Sequence, residues 1–174
     1  MNIDRSMIEG HLAREKGFTL IELMIVIGIS AIMTAISIPT FVDWRKNQNF
    51  RKTANEITSF LRETRSKAIS KGVQHEILFN QVSNCYQLQV YNIATSSFDT
   101  PSQTLCPPAD VSIKSSSDGT STAVLTVIFN SDGTTTISGP DGLTSANVSV
   151  NDLATQKYLV TVLRTGRISS VRKY

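Results

Sequence analysis

The feature that most constrains this chain is a long apolar block close to its start. Residues 18–38 read FTLIELMIVIGISAIMTAISI and contain a single charged residue, Glu22. About 20 apolar residues, at a helical rise of about 1.5 Å per residue, cross a hydrocarbon core of roughly 30 Å. The block therefore predicts a membrane-spanning helix, because an uninterrupted apolar run of this length is longer than a helix of an ordinary soluble domain requires.

The segment before the block is polar and does not look like a secretory signal. Residues 1–17 read MNIDRSMIEGHLAREKG and hold three basic and three acidic residues. Arg14 and Lys16 stand next to the apolar block, on the side that the positive-inside rule keeps in the cytoplasm. A signal peptide has a shorter apolar region that ends in a small-residue cleavage site. We therefore expect an anchor with a polar leader, which begins at Met1 or at Met7.

Glu22 is the residue in this block that needs an explanation. An ionised carboxylate at the centre of a membrane helix costs about 2.5–3.5 kcal/mol on insertion scales, and less near an interface. One interpretation is that it merely lies near a helix N-terminus, where the helix dipole favours a negative charge. The other, which we favour, is that it has a functional partner.

A second apolar pattern continues the helix beyond the block. Six positions recur at intervals of four, three, four, three and four residues: Phe50, Ala54, Ile57, Leu61, Thr64 and Ala68. This spacing places them on one face of a helix, and Gly72 predicts its end. The chain thus divides into four parts: a leader at 1–17, a transmembrane or filament-core helix at 18–38, an amphipathic second half of that helix at 39–72, and a head at 73–174.

The head has the sequence pattern of β-strands. Alternating segments rich in Val, Ile, Leu, Tyr and Phe predict strands at 73–79, 85–91, 123–129 and 158–164, with shorter ones at 111–113, 134–137 and 148–150. The Ser/Thr/Pro-rich stretch 96–122 predicts a long mobile surface loop. The expected fold class is α+β, with a long N-terminal helix packed on an antiparallel β-sheet head.

The junction between leader and apolar block carries a family resemblance. The run Gly17-Phe18-Thr19-Leu20-Ile21-Glu22-Leu23 resembles the processing site of type IV pilins and type II secretion pseudopilins. The resemblance implies that a prepilin peptidase cuts between Gly17 and Phe18 and that the new terminus at Phe18 is N-methylated. It also implies that Glu22 pairs with the N-terminal ammonium of a neighbouring subunit during assembly.

Further along the chain, the helix at 50–72, the strand at 73–79 and the turn at 129–133 resemble the GspH/FimT branch of minor pseudopilins and minor pilins. This implies a type IV pilin-like fold and a single pass through the bacterial inner membrane, with the head in the periplasm, before the protein joins a pilus or pseudopilus. Implied partners are the prepilin peptidase, other pilin or pseudopilin subunits and inner-membrane lipid. The sequence does not distinguish secretion from pilus biogenesis.

Export to the periplasm bears on the two cysteines. Cys85 and Cys106 would lie in an oxidising compartment, where disulfide bonds persist. A disulfide closing about 20 residues would stabilise the fold by roughly 3 kcal/mol on the chain-entropy model. The sequence leaves both a disulfide and two free thiols open.

Charge is concentrated at the C-terminus. Residues 164–174 hold Arg164, Arg167, Arg172 and Lys173 and no acid, whereas residues 73–163 hold two basic and seven acidic residues. The run beginning at Gly166 is similar to the Gly-Arg-x-Arg motif of FimT-like DNA-uptake pilins, although Ser169 stands where the second arginine is expected. DNA binding, a solvated strand end and a subunit contact are the three interpretations.

An enzyme is the competing class of function, and the sequence argues against it. His75 is the one histidine left after leader removal, and no nucleophile elbow, phosphate-binding glycine loop or zinc-ligand spacing occurs. We expect no catalytic residues, no metal site and no cofactor. A third possibility is a membrane-tethered binding head that never polymerises.

Overall fold

A computed structural model describes residues 17–121, 123–152 and 155–173. The chain divides into two compact units, Met1–Val42 and Asp43–Tyr174. The predicted leader lies outside the described residues except for Gly17. One long helix, α1 (Leu20–Lys71, 52 residues), contributes to both units.

In the first unit, α1 is apolar and exposed. The helix is long and apolar enough, by length and composition, to cross a membrane, and the stretch that satisfies this test buries none of its surface inside the protein. Large side chains from Leu20 to Val42 are exposed all along it. The apolar side chains of this part of the helix are therefore not buried by the described residues.

In the second unit, α1 buries the stripe that the sequence predicts. Every one of its six positions is at most 2% exposed: Phe50, Ala54, Ile57, Leu61, Thr64 and Ala68. The helix ends at Lys71, and Gly72 follows with a φ of +64°, the left-handed conformation that commonly ends helices. The predicted stripe and helix end are both confirmed.

Among its described residues, the head contains ten strands, which form two antiparallel sheets. The strands are β1 (His75–Asn80), β2 (Cys85–Asn92), β3 (Ser97–Phe98), β4 (Gln103–Leu105), β5 (Ser112–Lys114), β6 (Leu125–Phe129), β7 (Thr135–Ser138), β8 (Ser145–Asp152), β9 (Thr155–Leu163) and β10 (Ile168–Arg172). The six-stranded sheet has the order β3-β2-β1-β6-β7 with β4 also paired to β2, and the four-stranded sheet has the order β10-β9-β8-β5. The predicted α+β class with an antiparallel head is confirmed.

The core lies between the helical stripe and the inner faces of the two sheets. Ile57 and Leu61 of α1 belong to the same buried cluster as Val127 of β6 and Val160 of β9, all with no exposed surface. Hydrogen bonds also join the sheets, because Thr135 donates its backbone N–H to the carbonyl of Arg164 (2.8 Å) and its hydroxyl to the carbonyl of Leu163 (2.7 Å).

The prediction of one long loop over 96–122 is wrong. This segment contributes β3, β4 and β5, and Ser115 and Ser116 within it are buried. Its polar side chains fold it locally: the Ser116 hydroxyl donates to Asp118 (2.6 Å) and accepts from the backbone N–H of Thr120 (3.1 Å). Ser, Thr and Asp are common in mobile loops, but they also satisfy backbone groups in tight turns, and composition alone does not separate the two cases.

A disulfide bond fixes part of the same segment. The structure joins Cys85 at the start of β2 to Cys106 just after β4. Their Cα atoms are 4.2 Å apart, and the sequence separation is 21. Of the two alternatives that the sequence leaves open, the structure has the disulfide. The bond holds β4 against β2.

Removal of this bond is expected to destabilise the head. In a Cys85→Ser/Cys106→Ser variant, the free energy of unfolding should fall by about 3 kcal/mol, because the unfolded chain regains the freedom that the closed loop removes. Urea unfolding followed by circular dichroism measures this. Reduction of the wild-type protein should produce a similar loss, and a loss below about 0.5 kcal/mol in both experiments would contradict the expectation.

Candidate functional site

The predicted processing site lies just before α1, and Thr19 caps the N-terminus of this helix. The backbone N–H of Glu22 donates to the Thr19 hydroxyl oxygen (3.3 Å), and that of Leu23 donates to the Thr19 carbonyl (3.2 Å). Thr19 is therefore the N-cap residue, which places Glu22 in the first helical turn. The N-cap role of Thr19 is not among the predictions from the sequence, although the spacing Thr-x-x-Glu is the signature of a capping box.

The residues around the predicted cleavage bond are accessible. Phe18 is 82% exposed, Glu22 is exposed, and no atom of the described residues lies within 4 Å of where a Gly17 Cβ would stand. Gly17 is therefore not required by packing in this structure. An exposed bond after a glycine suits chemistry performed by another protein, because Gly17 presents no side chain to an approaching enzyme.

The predicted C-terminal set is divided between two clefts in the second unit. The first, which we call the arginine cleft, has a volume of about 590 Å³ and lies between α1 and the turn that joins β9 to β10. Its charged lining consists of Arg62 and Arg65 of α1 and Arg167 of the turn. Arg62 and Arg65 are not among the residues predicted from the sequence, because a sequence does not show which turn approaches that part of the helix.

The second cleft, of about 270 Å³, lies at the other end of β10. Its charged lining consists of Arg51, Lys157, Arg172 and Lys173. The five-residue strand β10 separates it from the arginine cleft by about 17 Å at the usual rise per residue. Arg164 lines neither cleft. The four predicted DNA-binding residues are thus not brought together at one site, and DNA binding stays a prediction.

Two acidic side chains of the head, Asp118 and Asp132, hydrogen-bond with neutral groups in tight turns. Hydrogen bonds from Ser116 and then from Thr120 lower the pKa of Asp118 to about 2. The hydroxyl and backbone N–H of Thr134 likewise lower the pKa of Asp132 below its usual value. These carboxylates stay ionised at neutral pH while they organise turns.

His75, the histidine considered for catalysis, lies in the core. It is 1% exposed, and its Nδ1 lies 2.8 Å from the carbonyl oxygen of Val73. In the part of the chain that the structure describes, no group of three or more His, Cys, Asp or Glu side chains is placed to hold a metal ion.

Comparison with known proteins agrees with the processing motif. Residues 12–38 match the model of the prokaryotic N-terminal methylation motif. Two fimbrial proteins of Pseudomonas aeruginosa are each 34% identical to this chain over an alignment of 77 residues. The match covers 38% of this chain and 50% of each fimbrial protein. The chain thus spans about half the length of the curated relatives that it matches.

Solved structures share the fold at low sequence identity. The type IV minor pilin FimU of Pseudomonas aeruginosa matches with a TM-score of 0.51 and 16% identity, covering 70% of this chain and 87% of FimU. The minor pseudopilin EpsH from the type 2 secretion system of Vibrio cholerae matches with a TM-score of 0.55 and 10% identity, covering 72% of this chain and 95% of EpsH. The N-terminal methylation motif, the partial match to the fimbrial proteins and the fold shared with FimU and EpsH make this chain similar to type IV pilin-like proteins.

Proposed function

We propose that the chain is a minor pilin or minor pseudopilin subunit, and that its role is assembly and not catalysis. It is inserted into the inner membrane as a precursor with its head in the periplasm. A prepilin peptidase cuts it between Gly17 and Phe18 and methylates Phe18. The mature chain then joins a type IV pilus or a type II secretion pseudopilus.

The observation that carries this proposal is the uncovered apolar half of α1. The stretch of the first unit that is apolar enough to span a membrane has no buried surface, although the second unit has a complete core of its own. Exposed apolar surface of this extent needs lipid or protein around it. In a subunit that starts in a membrane and ends in a filament core, this surface is surrounded first by lipid and then by protein.

Glu22 gives the assembly step its direction. Cleavage at Gly17 creates an α-amino group with a reference pKa near 8, which is cationic at neutral pH. In an apolar bundle, a carboxylate and an ammonium that pair each offset the cost of burying the other. The Glu22 side chain of one subunit therefore selects the processed N-terminus of its neighbour and rejects an unprocessed chain.

Processing itself is the first test. When the full-length gene is expressed with an active prepilin peptidase, the intact mass of the membrane-extracted protein should correspond to residues 18–174 with one added methyl group. A Gly17→Val variant should retain residues 1–17, because a branched side chain obstructs the peptidase. Retention of the leader by the wild-type protein in the same cells would overturn the proposal.

A non-polymerising tethered head makes a different prediction. For such a head, leader removal would have no effect on filaments, and Glu22 would be dispensable. The Glu22 variants considered in the Discussion separate the two functions, because only the assembly function requires the carboxylate.

A further inference from the structure

The second half of α1 has charges of both signs, and they are unevenly distributed around the helix. On one flank each acid lies next to a lysine one turn away: Lys52 Nζ is 3.7 Å from Glu56 Oε1, and Lys67 Nζ is 2.7 Å from Glu63 Oε1. The flank that borders the arginine cleft carries arginines and no acid in the cleft lining. Positive charge is therefore compensated on one side of the helix and uncompensated on the other.

The arginine cleft leaves its cations available for a ligand. Within the described ranges, the guanidinium groups of Arg62 and Arg167 form no hydrogen bond and no ion pair. Two acids lie near the cleft in sequence, and both have other partners. Glu63 pairs with Lys67 Nζ (2.7 Å), and the carboxylate of Asp132, next to Gly133, accepts from the backbone N–H (2.8 Å) and hydroxyl (2.6 Å) of Thr134. Three guanidinium groups thus converge on one cleft without a counter-ion from the described part of the protein.

Arg65 is held in place before any ligand arrives. It is half-buried, and its Nε donates to the carbonyl oxygen of Gly133 (3.0 Å). The β9–β10 turn packs directly on it, since a Cβ at Gly166 would lie 2.6 Å from Arg65 Nε. A cation that is already fixed loses less conformational entropy when it binds.

We propose that the arginine cleft is a binding site for a phosphate group. Arg62, Arg65 and Arg167 supply the positive charge, and Ser66 and Thr165 line the same cleft with hydroxyl groups that can donate further hydrogen bonds. Guanidinium groups bind phosphate oxygens through paired, charge-assisted hydrogen bonds. This role is independent of filament assembly.

The charge count favours phosphate over a carboxylate. A carboxylate offers two oxygens and one negative charge, which would neutralise one of the three arginines. A phosphomonoester carries about −1.5 to −2 charges at pH 7 and presents three acceptor oxygens. It therefore neutralises more of the three cations than a carboxylate does, and it offers one acceptor oxygen to each guanidinium group.

Isothermal titration calorimetry of the full processed chain in detergent, at constant ionic strength, tests the site. Inorganic phosphate should bind with saturation, and acetate should bind at least about tenfold more weakly. The Arg62→Ala/Arg167→Ala variant should lose about a hundredfold in phosphate affinity, at roughly tenfold for each charge-assisted contact. Neither side chain contacts the rest of the described protein through hydrogen bonds or ion pairs, so the fold should be retained.

The matched control is Lys52→Ala/Lys67→Ala, which removes the same charge from the opposite flank and should bind phosphate within about twofold of the wild type. Equal binding of acetate and phosphate, equal losses in the two double variants, or no saturable binding would each overturn the proposal. A short single-stranded oligonucleotide, as a second probe, identifies the source of the phosphate. If it competes with inorganic phosphate and depends on Arg62 and Arg167, the ligand is a phosphodiester backbone and the inferred preference for a phosphomonoester is overturned. If only inorganic phosphate binds, the ligand is a small phosphate or a phosphomonoester.

Discussion

A Glu22→Ala variant is expected to be processed normally but to enter filaments about a hundredfold less than the wild type. The substitution removes the carboxylate that, in the assembly step that we propose, neutralises the N-terminal ammonium of the neighbouring subunit. Loss of one partner from a buried ion pair costs about 3–5 kcal/mol, and about 2.7 kcal/mol already corresponds to a hundredfold change in an equilibrium constant. The measurement is the amount of this subunit in the sheared filament fraction relative to the membrane fraction, by quantitative immunoblotting.

The related variants show whether charge is the cause. Glu22→Gln keeps the size of the side chain without the charge and should fail as Glu22→Ala does, whereas Glu22→Asp keeps the charge and should retain part of the incorporation. The head should be unaffected in all three, as shown by an intact disulfide between Cys85 and Cys106 and by unchanged urea unfolding. Wild-type incorporation of Glu22→Ala would instead support a tethered head that does not polymerise.

A Gly166→Ala variant is expected to lower the free energy of unfolding of the head by about 4 kcal/mol. Gly166 has a φ of +78°, where a Cβ costs about 1–2 kcal/mol. The new Cβ would also stand against the carbonyl oxygen of Gly133 and 2.6 Å from Arg65 Nε, so the β9–β10 turn has to move off the helix. Overpacking of this kind adds about 1–3 kcal/mol. Urea unfolding followed by circular dichroism measures the sum.

Gly142→Ala is the matched control for this prediction. Gly142 also has a positive φ, +92°, but no atom of the described residues lies within 4 Å of the position that an added Cβ would take. Its substitution should therefore cost only the backbone strain, about 1–2 kcal/mol. Equal losses at Gly142 and Gly166 would mean that the close approach of the turn to Arg65 contributes nothing to stability.

The elements predicted correctly are those whose cause is local. The helical stripe from Phe50 to Ala68 follows from the period of 3.6 residues, and the helix end follows from the conformational freedom of Gly72. The strand β1 and most of β2 follow from the period of two. Each of these elements depends on residues that are neighbours in the chain, and tertiary packing is compatible with the local preference.

The elements that were missed depend on distant residues. The strands β3 and β4 are two and three residues long, too short for an alternating pattern, and they exist because β2 offers them an edge and because Cys106 is bonded to Cys85. The sequence likewise shows a cluster of C-terminal cations but does not show that β10 divides them. A strand in a hairpin places its two ends against different parts of the helix.

By itself, the sequence determined the uncovered apolar helix, the isolated Glu22 and the processing motif at Gly17-Phe18, because these are properties of contiguous residues. It also determined that a helix with one apolar face would pack on an antiparallel head. Only the tertiary structure decided that Arg62 and Arg65, about 100 positions before Arg167, share a cleft with it. The physical reason is that a guanidinium group acquires its neighbours from the turns that pack around it, and Gly133 and Gly166 come close to Arg65 only in the folded head.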